Sequence, residues 1–326
     1  MNKVSILIPN YNYGNYIYKT IESCINQTYQ YIEIIVLDDG STDSSRKEIE
    51  RASINFPGKI KPIFLDRVGL NKALNIGIKI STGSLICIVH SDDLLLKNKI
   101  AAQVEQFDKD PEVSLSHTEF QCIDEKDAVL PSGSAEHAQP ADGHCLEKIL
   151  QTKVDVRSMT VMFKKKVLMD AGGFREDRRA EDWQLILLMS SLGKIGHINE
   201  ILVLRRIHQN NWSIRFHRDE KSSQFDPTEA CIDIIKQICP ASLSASMIVS
   251  KNCRIAMSQA IAHGNFKIIP TAFKFIKSEI GTLPGVVLTA KGVLSGIYSL
   301  FVILLMNILP SKIFYSLRGL IKGVKK

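Results

Sequence analysis

The seven cysteines of this 326-residue sequence include no pair at C-x-x-C spacing, and their number is odd. Such a set indicates neither a structural zinc site nor a disulfide scaffold. Cys24, Cys87, Cys122, Cys145, Cys231, Cys239 and Cys253 read mostly as small buried apolar residues. No G-x-x-x-x-G-K-[ST] loop and no G-x-G-x-x-G turn is present, which argues against a P-loop enzyme and a dinucleotide dehydrogenase. No G-x-S-x-G elbow points to a serine hydrolase. Internal repeats and low-complexity tracts are missing as well. The first apolar run, Val4–Ile8, is too short for a secretory signal and stops at Pro9-Asn10. It reads as a buried strand, and the body is expected in the reducing cytoplasm.

Acidic residues are scarce in one region only. Residues 240–326 carry 11 Lys+Arg and a single acid, Glu279, whereas the preceding 239 residues carry 30 Lys+Arg and 33 Asp+Glu. The net charge of +7 therefore belongs to a basic tail on a mildly acidic body. A hydrophobic content of 45% and a charged content of 23% are those of a globular chain, with room for about two domains.

The first 120 residues alternate between strand-like and helix-like segments. Val4–Ile8, Ile32–Leu37, Lys59–Leu65 and Leu85–Val89 are short apolar runs. Tyr16–Ile25, Ser45 to about Arg51, Leu70–Ile80 and Lys97–Phe107 carry apolar residues at helical spacing. This pace implies βαβ units and a mostly parallel sheet, with ligands beyond the carboxyl ends of the strands. Asp38-Asp39 and Asp92-Asp93 each follow a strand and should face that crevice. Further on, Val113–Phe120, Met159–Phe163 and Ile201–Ile207 read as strands and Glu181–Leu192 as a helix. Residues 208–227 read as an exposed polar loop and 228–280 as helical.

Carboxylates at these places have two uses. Asp38-Asp39-Gly40 is a turn sequence, and a carboxylate there can also accept the ring N–H of a pyrimidine. Ser91-Asp92-Asp93 could cap a helix starting near Leu94, or hold a hard divalent cation against a diphosphate. Glu181-Asp182 suits a helix N-terminus, and a carboxylate there can take the proton of an attacking hydroxyl. Alternation along the strand before His208 should turn only one of Arg205 and Arg206 inward.

Five blocks together resemble the family 2 glycosyltransferases of GT-A fold. They are Val4-Ser-Ile-Leu-Ile-Pro-Asn-Tyr-Asn12, Ile34-Ile-Val-Leu-Asp-Asp-Gly-Ser-Thr-Asp43, Ser91-Asp92-Asp93, Glu181-Asp182-Trp183 and Arg206-Ile-His-Gln-Asn-Asn-Trp-Ser213. The resemblance covers about residues 3–215. It implies an α/β GT-A-type domain over 1–225 and an inverting, metal-dependent sugar transfer from a nucleotide-sugar donor. It assigns donor binding to Pro9, Tyr11, Asp39, Asn75, Asp92 and Arg206. Asp93 and His208 would hold a divalent cation (Mn²⁺ or Mg²⁺), and Asp182 would be the base, with Glu181 beside it. Two positions depart from the family pattern: His90 stands where an acid is common, and Leu74 where many members carry Arg. Alternative readings are a sugar nucleotidyltransferase on a related scaffold, or a non-catalytic nucleotide- or glycan-binding module. The first is expected to show a Gly-rich basic loop after strand one, which Pro9–Gly14 lacks.

The remaining region, 226–326, reads as helical with a membrane-associating segment over 292–326. Residues 292–311 form a 20-residue run without charge, long enough to be a spanning candidate. From Lys312 on, Ile313, Phe314, Leu317, Leu320, Ile321 and Val324 share one helical face opposite Lys312, Arg318, Lys322, Lys325 and Lys326. That pattern fits an interfacial helix on an anionic membrane surface better than a nucleic-acid-binding tail. A single span would place the basic end opposite the body, against the positive-inside bias, so peripheral or monotopic attachment is expected. The expected location is the cytoplasmic side of the inner (plasma) membrane, and the expected acceptor is a lipid-linked glycan.

Overall fold

The computed structural model describes residues 1–134, 137–150, 153–176 and 181–211. The expected domain boundary near 225, the polar loop beyond Asn211, the helical stretch 228–280 and the tail segments 292–311 and 312–326 lie outside these residues. Met1–His208 forms one compact unit.

Its first half is a run of β1 (Val4–Asn10), α1 (Ile17–Ile25), β2 (Ile32–Asp39), α2 (Ser45–Asn55), β3 (Ile60–Leu65), α3 (Leu70–Ile80) and β4 (Leu85–Ile88). There follow β5 (Leu94–Leu95), α4 (Lys99–Lys109), β6 (Val113–Ile123) and β7 (Val129–Gly133). The last part holds β8 (Gln139–Pro140), α5 (Leu146–Leu150), β9 (Val154–Asp155), β10 (Met162–Lys164), α6 (Lys165–Asp170), α7 (Glu181–Leu192) and β11 (Lys194–Arg206). The main sheet has the order β3-β2-β1-β4-β10-β6-β11-β5, with β7 on β6, and β8 and β9 pair separately.

β1 is buried along its whole length, as a central parallel strand covered on both faces must be. From β1 the chain steps outward through β2 and β3 on one side and then returns to place β4 on the other. The crevice expected at such a reversal therefore opens between β1 and β4. β10 runs antiparallel to both β4 and β6, and β6 is parallel to β11. Consequently β6 and β11 point the same way as β1. The carboxyl ends of β1, β2, β4, β6 and β11 share one sheet edge. Helix α3 lies close on the sheet at Gly77, where an added Cβ would meet Leu37 Cδ1 at 2.7 Å and Leu7 Cδ1 at 3.2 Å. Cys24, Cys87, Cys122 and Cys145 are buried, as expected; Cys231, Cys239 and Cys253 lie outside the described residues.

Three local expectations need correction. Leu94 does not begin a helix: Leu94–Leu95 pairs antiparallel with Val203–Leu204, and α4 starts at Lys99. Ser91-Asp92-Asp93 therefore caps no helix there. The strand expected from Met159 begins at Met162, because Thr160 closes a 3-10 turn, its N–H and Oγ1 both donating to Arg157 O. The last strand starts at Lys194 rather than Ile201, and the exposed, irregularly paired residues 199–201 interrupt its apolar pattern.

At the opposite edge of the sheet, Glu33 fastens β2 to the turn before β4. Its Oε1 accepts hydrogen bonds from Ser5 Oγ, Thr82 N at 2.6 Å, Thr82 Oγ1 at 2.9 Å and Gly83 N at 3.2 Å. Burial works against the charge, but these bonds and Lys3 outweigh it and hold the Glu33 pKa to about 2. A depressed carboxylate stabilises the fold above its unfolded pKa, and that increment disappears as pH falls through the folded value. Glu33→Gln is expected to lose on the order of 3 kcal/mol at pH 7. Urea unfolding should show the gap between wild type and variant closing between about pH 4.5 and 2, and a gap independent of pH would refute the assignment.

Candidate active site

The site is built where β1, β2, β4 and β11 end. β1 pairs with β2 as far as Asn10↔Asp38, but with β4 only to Leu7↔Ile88. Pro9, which has no N–H to donate, sits in the stretch that is paired on one side only.

The two aspartates ending β2 have different tasks. Asp38 organises the backbone: Asn10 Nδ2 donates to its Oδ1 at 2.7 Å, and Ser41 Oγ donates to the same atom at 2.6 Å. Asp39 faces the loop after β3. Its Oδ1 accepts Val68 N–H at 2.6 Å, and its Oδ2 accepts Gly69 N–H at 3.0 Å together with the Arg67 guanidinium. That guanidinium lies 3.5 Å above the centre of the Tyr11 ring. Arg67 holds a positive φ of 44°, a backbone conformation uncommon for a side-chain-bearing residue. Tyr11, Arg67 and Asp39 thus form a stacked, charge-neutral slot. Three donors leave one of the four carboxylate lone-pair positions of Asp39 for a further N–H.

Between β4 and β5 the chain turns through His90, Ser91, Asp92 and Asp93. The loop is pinned from behind. Thr20 Oγ1 bridges Ser91 O at 3.0 Å and Asp93 O at 2.8 Å, and Asp93 N–H donates to His90 O at 3.1 Å. Arg206, at the end of β11, is 1% exposed and reaches four sites on two loops. Its N–H donates to Asp93 Oδ1 at 2.9 Å, its Nε to Asp92 O at 2.9 Å and its Nη1 to Asp124 O at 2.9 Å, and its Nη2 pairs with Asp127 Oδ1 at 2.6 Å. Arg206 is the inward member of the Arg205-Arg206 pair, as alternation requires. Its guanidinium serves the acidic loop and the 124–127 turn, a positioning task distinct from the donor contact expected of it.

His208 is buried against Tyr16, with ring centres 4.8 Å apart, and its Nε2 lies 3.0 Å from Asp92 Oδ2. Burial opposes ionisation of Asp92, but the His208 hydrogen bond and the charges of His90 and His208 prevail and lower its pKa. Asp93 goes the other way: burial, and then the adjacent Asp92 charge, raise it. His90, Asp92 and Asp93 place one ligand atom each within 4.8 Å of one another. Asp93 is 2% exposed, and its Oδ2 has no hydrogen-bond partner. A buried carboxylate oxygen without a hydrogen bond, 3.6 Å from the His90 ring with which it pairs, fits a divalent cation that takes the place of the imidazole proton.

The remaining candidate residues lie on α7 and α3. Asp182 stands exposed in the first turn of α7. Burial disfavours protonation of His90, yet Asp93, Asp92 and Asp182 outweigh it and raise the imidazolium pKa to about 9. The His90 side chain is 54% exposed, so water screens part of this effect. Glu181 begins α7, and its side chain, like that of Trp183, lies outside those described. Asn75 is engaged elsewhere on the edge. Its Nδ2 donates to Phe174 O at 2.8 Å and Glu176 Oε1 at 3.0 Å, and its Oδ1 accepts Phe174 N–H at 3.0 Å. It tethers to α3 the segment that leads towards α7.

The geometry thus joins Tyr11 with Asp39 through Arg67, and Asp92 with Asp93, His90 and His208. Sequence reasoning missed His90 and Arg67 as participants. His90 registered only as a departure from an acidic pattern, and Arg67 had no signal beyond its place in a short loop after β3.

Comparison with known proteins places this arrangement. Residues 5–169 match the family model for glycosyl transferase family 2. An uncharacterized glycosyltransferase of Nostoc is 32% identical over 216 residues, which are 64% of this chain and 66% of that protein. The chondroitin synthase of Escherichia coli is 29% identical over 223 residues, 68% of this chain but 31% of the synthase. The chain thus spans less than two thirds of the length of these relatives. Among solved structures, S. aureus TarS 1–349 in complex with UDP-GlcNAc superposes with a TM-score of 0.66 at 17% identity, covering 92% of this chain and 90% of that one. The mannosyltransferase PcManGT of Pyrobaculum calidifontis, in complex with GDP-Man and Mn²⁺, gives 0.56 at 18% identity over 91% and 81%. At these identities the likeness establishes the α/β GT-A-like fold.

Proposed function

The chain belongs to glycosyl transferase family 2, and from that premise we propose that it transfers a sugar from a nucleoside-diphosphate donor to a hydroxyl of a lipid-linked glycan, with inversion. The observation that carries this reading is the acidic loop at the strand ends, where His90, Asp92 and Asp93 place one ligand atom each within 4.8 Å of one another and would face the donor diphosphate. Beside Tyr11, the nucleotide's base would donate its imide N–H to the Asp39 carboxylate position that Val68, Gly69 and Arg67 leave open. Asp92 and Asp93, with His90 or His208, would hold a divalent cation. Such an ion neutralises the diphosphate charge that develops on leaving. Asp182 accepts the proton of the acceptor hydroxyl as that oxygen bonds to the anomeric carbon. The bond from that carbon to the diphosphate oxygen breaks, and its electron pair leaves with the nucleoside diphosphate. Arg206 and Thr20 keep the acidic loop in place throughout, so little reorganisation accompanies charge development.

The acceptor class rests on the tail. A basic, amphipathic 312–326 after an uncharged 292–311 suits attachment to an anionic surface, where a polyprenyl-diphosphate glycan would be presented. Chondroitin and hyaluronan synthases among the relatives agree with a role in polysaccharide assembly. We place the protein on the cytoplasmic side of the inner membrane, peripheral or monotopic.

The full chain, incubated with Mn²⁺, UDP-, GDP- and dTDP-sugars and a polyprenyl-diphosphate-linked glycan, should release nucleoside diphosphate from one donor class in step with glycosylation of the lipid. Absence of acceptor-dependent release with every donor would overturn the transfer reading. Deleting 312–326 should shift the protein from membrane to soluble fractions, and an unchanged distribution would remove the surface attachment.

A further inference from the structure

The ligand set of the acidic loop is unusual in containing an imidazole beside the two carboxylates. We propose that His90 is a direct metal ligand in this chain, and that the resulting nitrogen–oxygen donor set selects first-row transition ions such as Mn²⁺ over Mg²⁺. The inference rests on the metal-assisted transfer proposed above and specifies its ion.

Geometry carries the assignment. His90 Nδ1 lies 3.6 Å from Asp93 Oδ2, and that oxygen is buried without a hydrogen-bond partner. At 3.6 Å the two atoms are too far apart for a hydrogen bond. Ligand atoms about 2.1 Å from a shared ion stand roughly 3–3.5 Å apart, close to what is seen. The other Asp93 oxygen already accepts the Arg206 N–H at 2.9 Å, so the carboxylate cannot rotate to satisfy Oδ2 without losing that bond. Backbone mobility does not close the gap either, because Thr20 holds Ser91 O and Asp93 O while Arg206 holds Asp92 O. His90 itself is half-exposed and forms the outer wall, where an ion and a diphosphate would enter. The loop is thus rigid on its buried side, and Asp93 Oδ2 faces only the His90 ring, whose proton a bound ion would replace.

Ligand chemistry then sets the preference. Mg²⁺ favours oxygen donors and keeps much of its water, whereas imidazole suits transition ions, whose affinity for nitrogen sites rises along the first row. Replacing His90 by an acid would return the loop to an all-oxygen set.

Mn²⁺ alone is the probe. Titration of the full chain, followed by the EPR signal of free Mn²⁺, should show one site, and pulsed EPR should show a directly bound nitrogen. In His90→Asp, Mn²⁺ should still bind, the nitrogen coupling should vanish, and Mg²⁺ should displace Mn²⁺ at about tenfold lower concentration than in wild type. Persistence of the coupling in His90→Asp would assign the nitrogen elsewhere and overturn the proposal. Equal Mg²⁺ competition in both proteins would also overturn it. In either case retained Mn²⁺ binding leaves the transfer mechanism standing. Failure of wild type to bind Mn²⁺, with or without a nucleoside diphosphate, removes the metal site itself and with it both readings.

Discussion

Asp182→Asn is expected to lower turnover by roughly 10²–10⁴-fold, the contribution typical of a positioned general base. The dissociation constant of the nucleotide-sugar should stay unchanged. Asparagine matches aspartate in size and hydrogen-bonding shape but cannot accept and keep a proton at neutral pH. Asp182 is exposed in the first turn of a helix, and circular dichroism of the variant checks that the fold survives the exchange. The same variant has a second readout that does not depend on activity. The Asp182 charge is among those that raise the His90 imidazolium to about 9. Removing a negative charge disfavours the protonated ring, so the His90 pKa of the metal-free variant should fall, which NMR titration measures. A drop in turnover together with a lower His90 pKa supports a base beside the metal-ligand cluster. Undiminished turnover would dismiss Asp182 as base, and an unmoved His90 would separate it from the cluster.

The residues that could be recognised in the sequence are those whose local pattern and role coincide. β1 to β4 and α1 to α3 followed from apolar runs and helical spacing, because a central parallel sheet gives each element a plain hydrophobic face. Asp39 ends β2, and Asp92 and Asp93 lie in the short turn after β4, so the sheet edge dictates their location. What sequence reasoning missed depends on contacts between distant segments. The separation of Asp38 from Asp39 arises from Asn10 and Ser41 on one side and the 67–69 loop on the other. Nothing in Asp-Asp-Gly distinguishes the two carboxylates. Arg206 looked like a cation aimed at phosphate. Its burial and its bonds to Asp92, Asp93 and Asp124 appear only once β11 lies beside β6, paired residues being at least 80 apart in the chain. β11 was shortened for a similar reason: its irregular middle presents three exposed residues that mask an otherwise paired strand.

Asp93→Asn should separate stability from function with opposite signs. Asparagine keeps an Oδ1 acceptor for the Arg206 N–H, so the loop retains its anchor. It removes the charge of a carboxylate whose other oxygen is buried and unpartnered. Burial and the neighbouring Asp92 raise the Asp93 pKa, which means that its ionised form costs stability in the folded protein. Where wild-type Asp93 is ionised, the metal-free variant should therefore be more stable than metal-free wild type, by whatever the lost ion pair with His90 does not offset. The gain reads as a higher Tm. The sign with pH follows from the raised pKa. The cost is full above the folded pKa, shrinks as pH falls, and is gone below the unfolded value, where wild type and variant converge. With Mn²⁺ and a nucleoside diphosphate the order should reverse: wild type gains the binding energy, and the variant, lacking a ligand atom, loses at least about 100-fold in metal-dependent affinity. Thermal shift in the four combinations of protein and ligand reads both signs at once. A variant that melts lower than wild type without metal, yet keeps the same metal-induced rise, would show that Asp93 is a structural acid and that the loop is not organised around an ion.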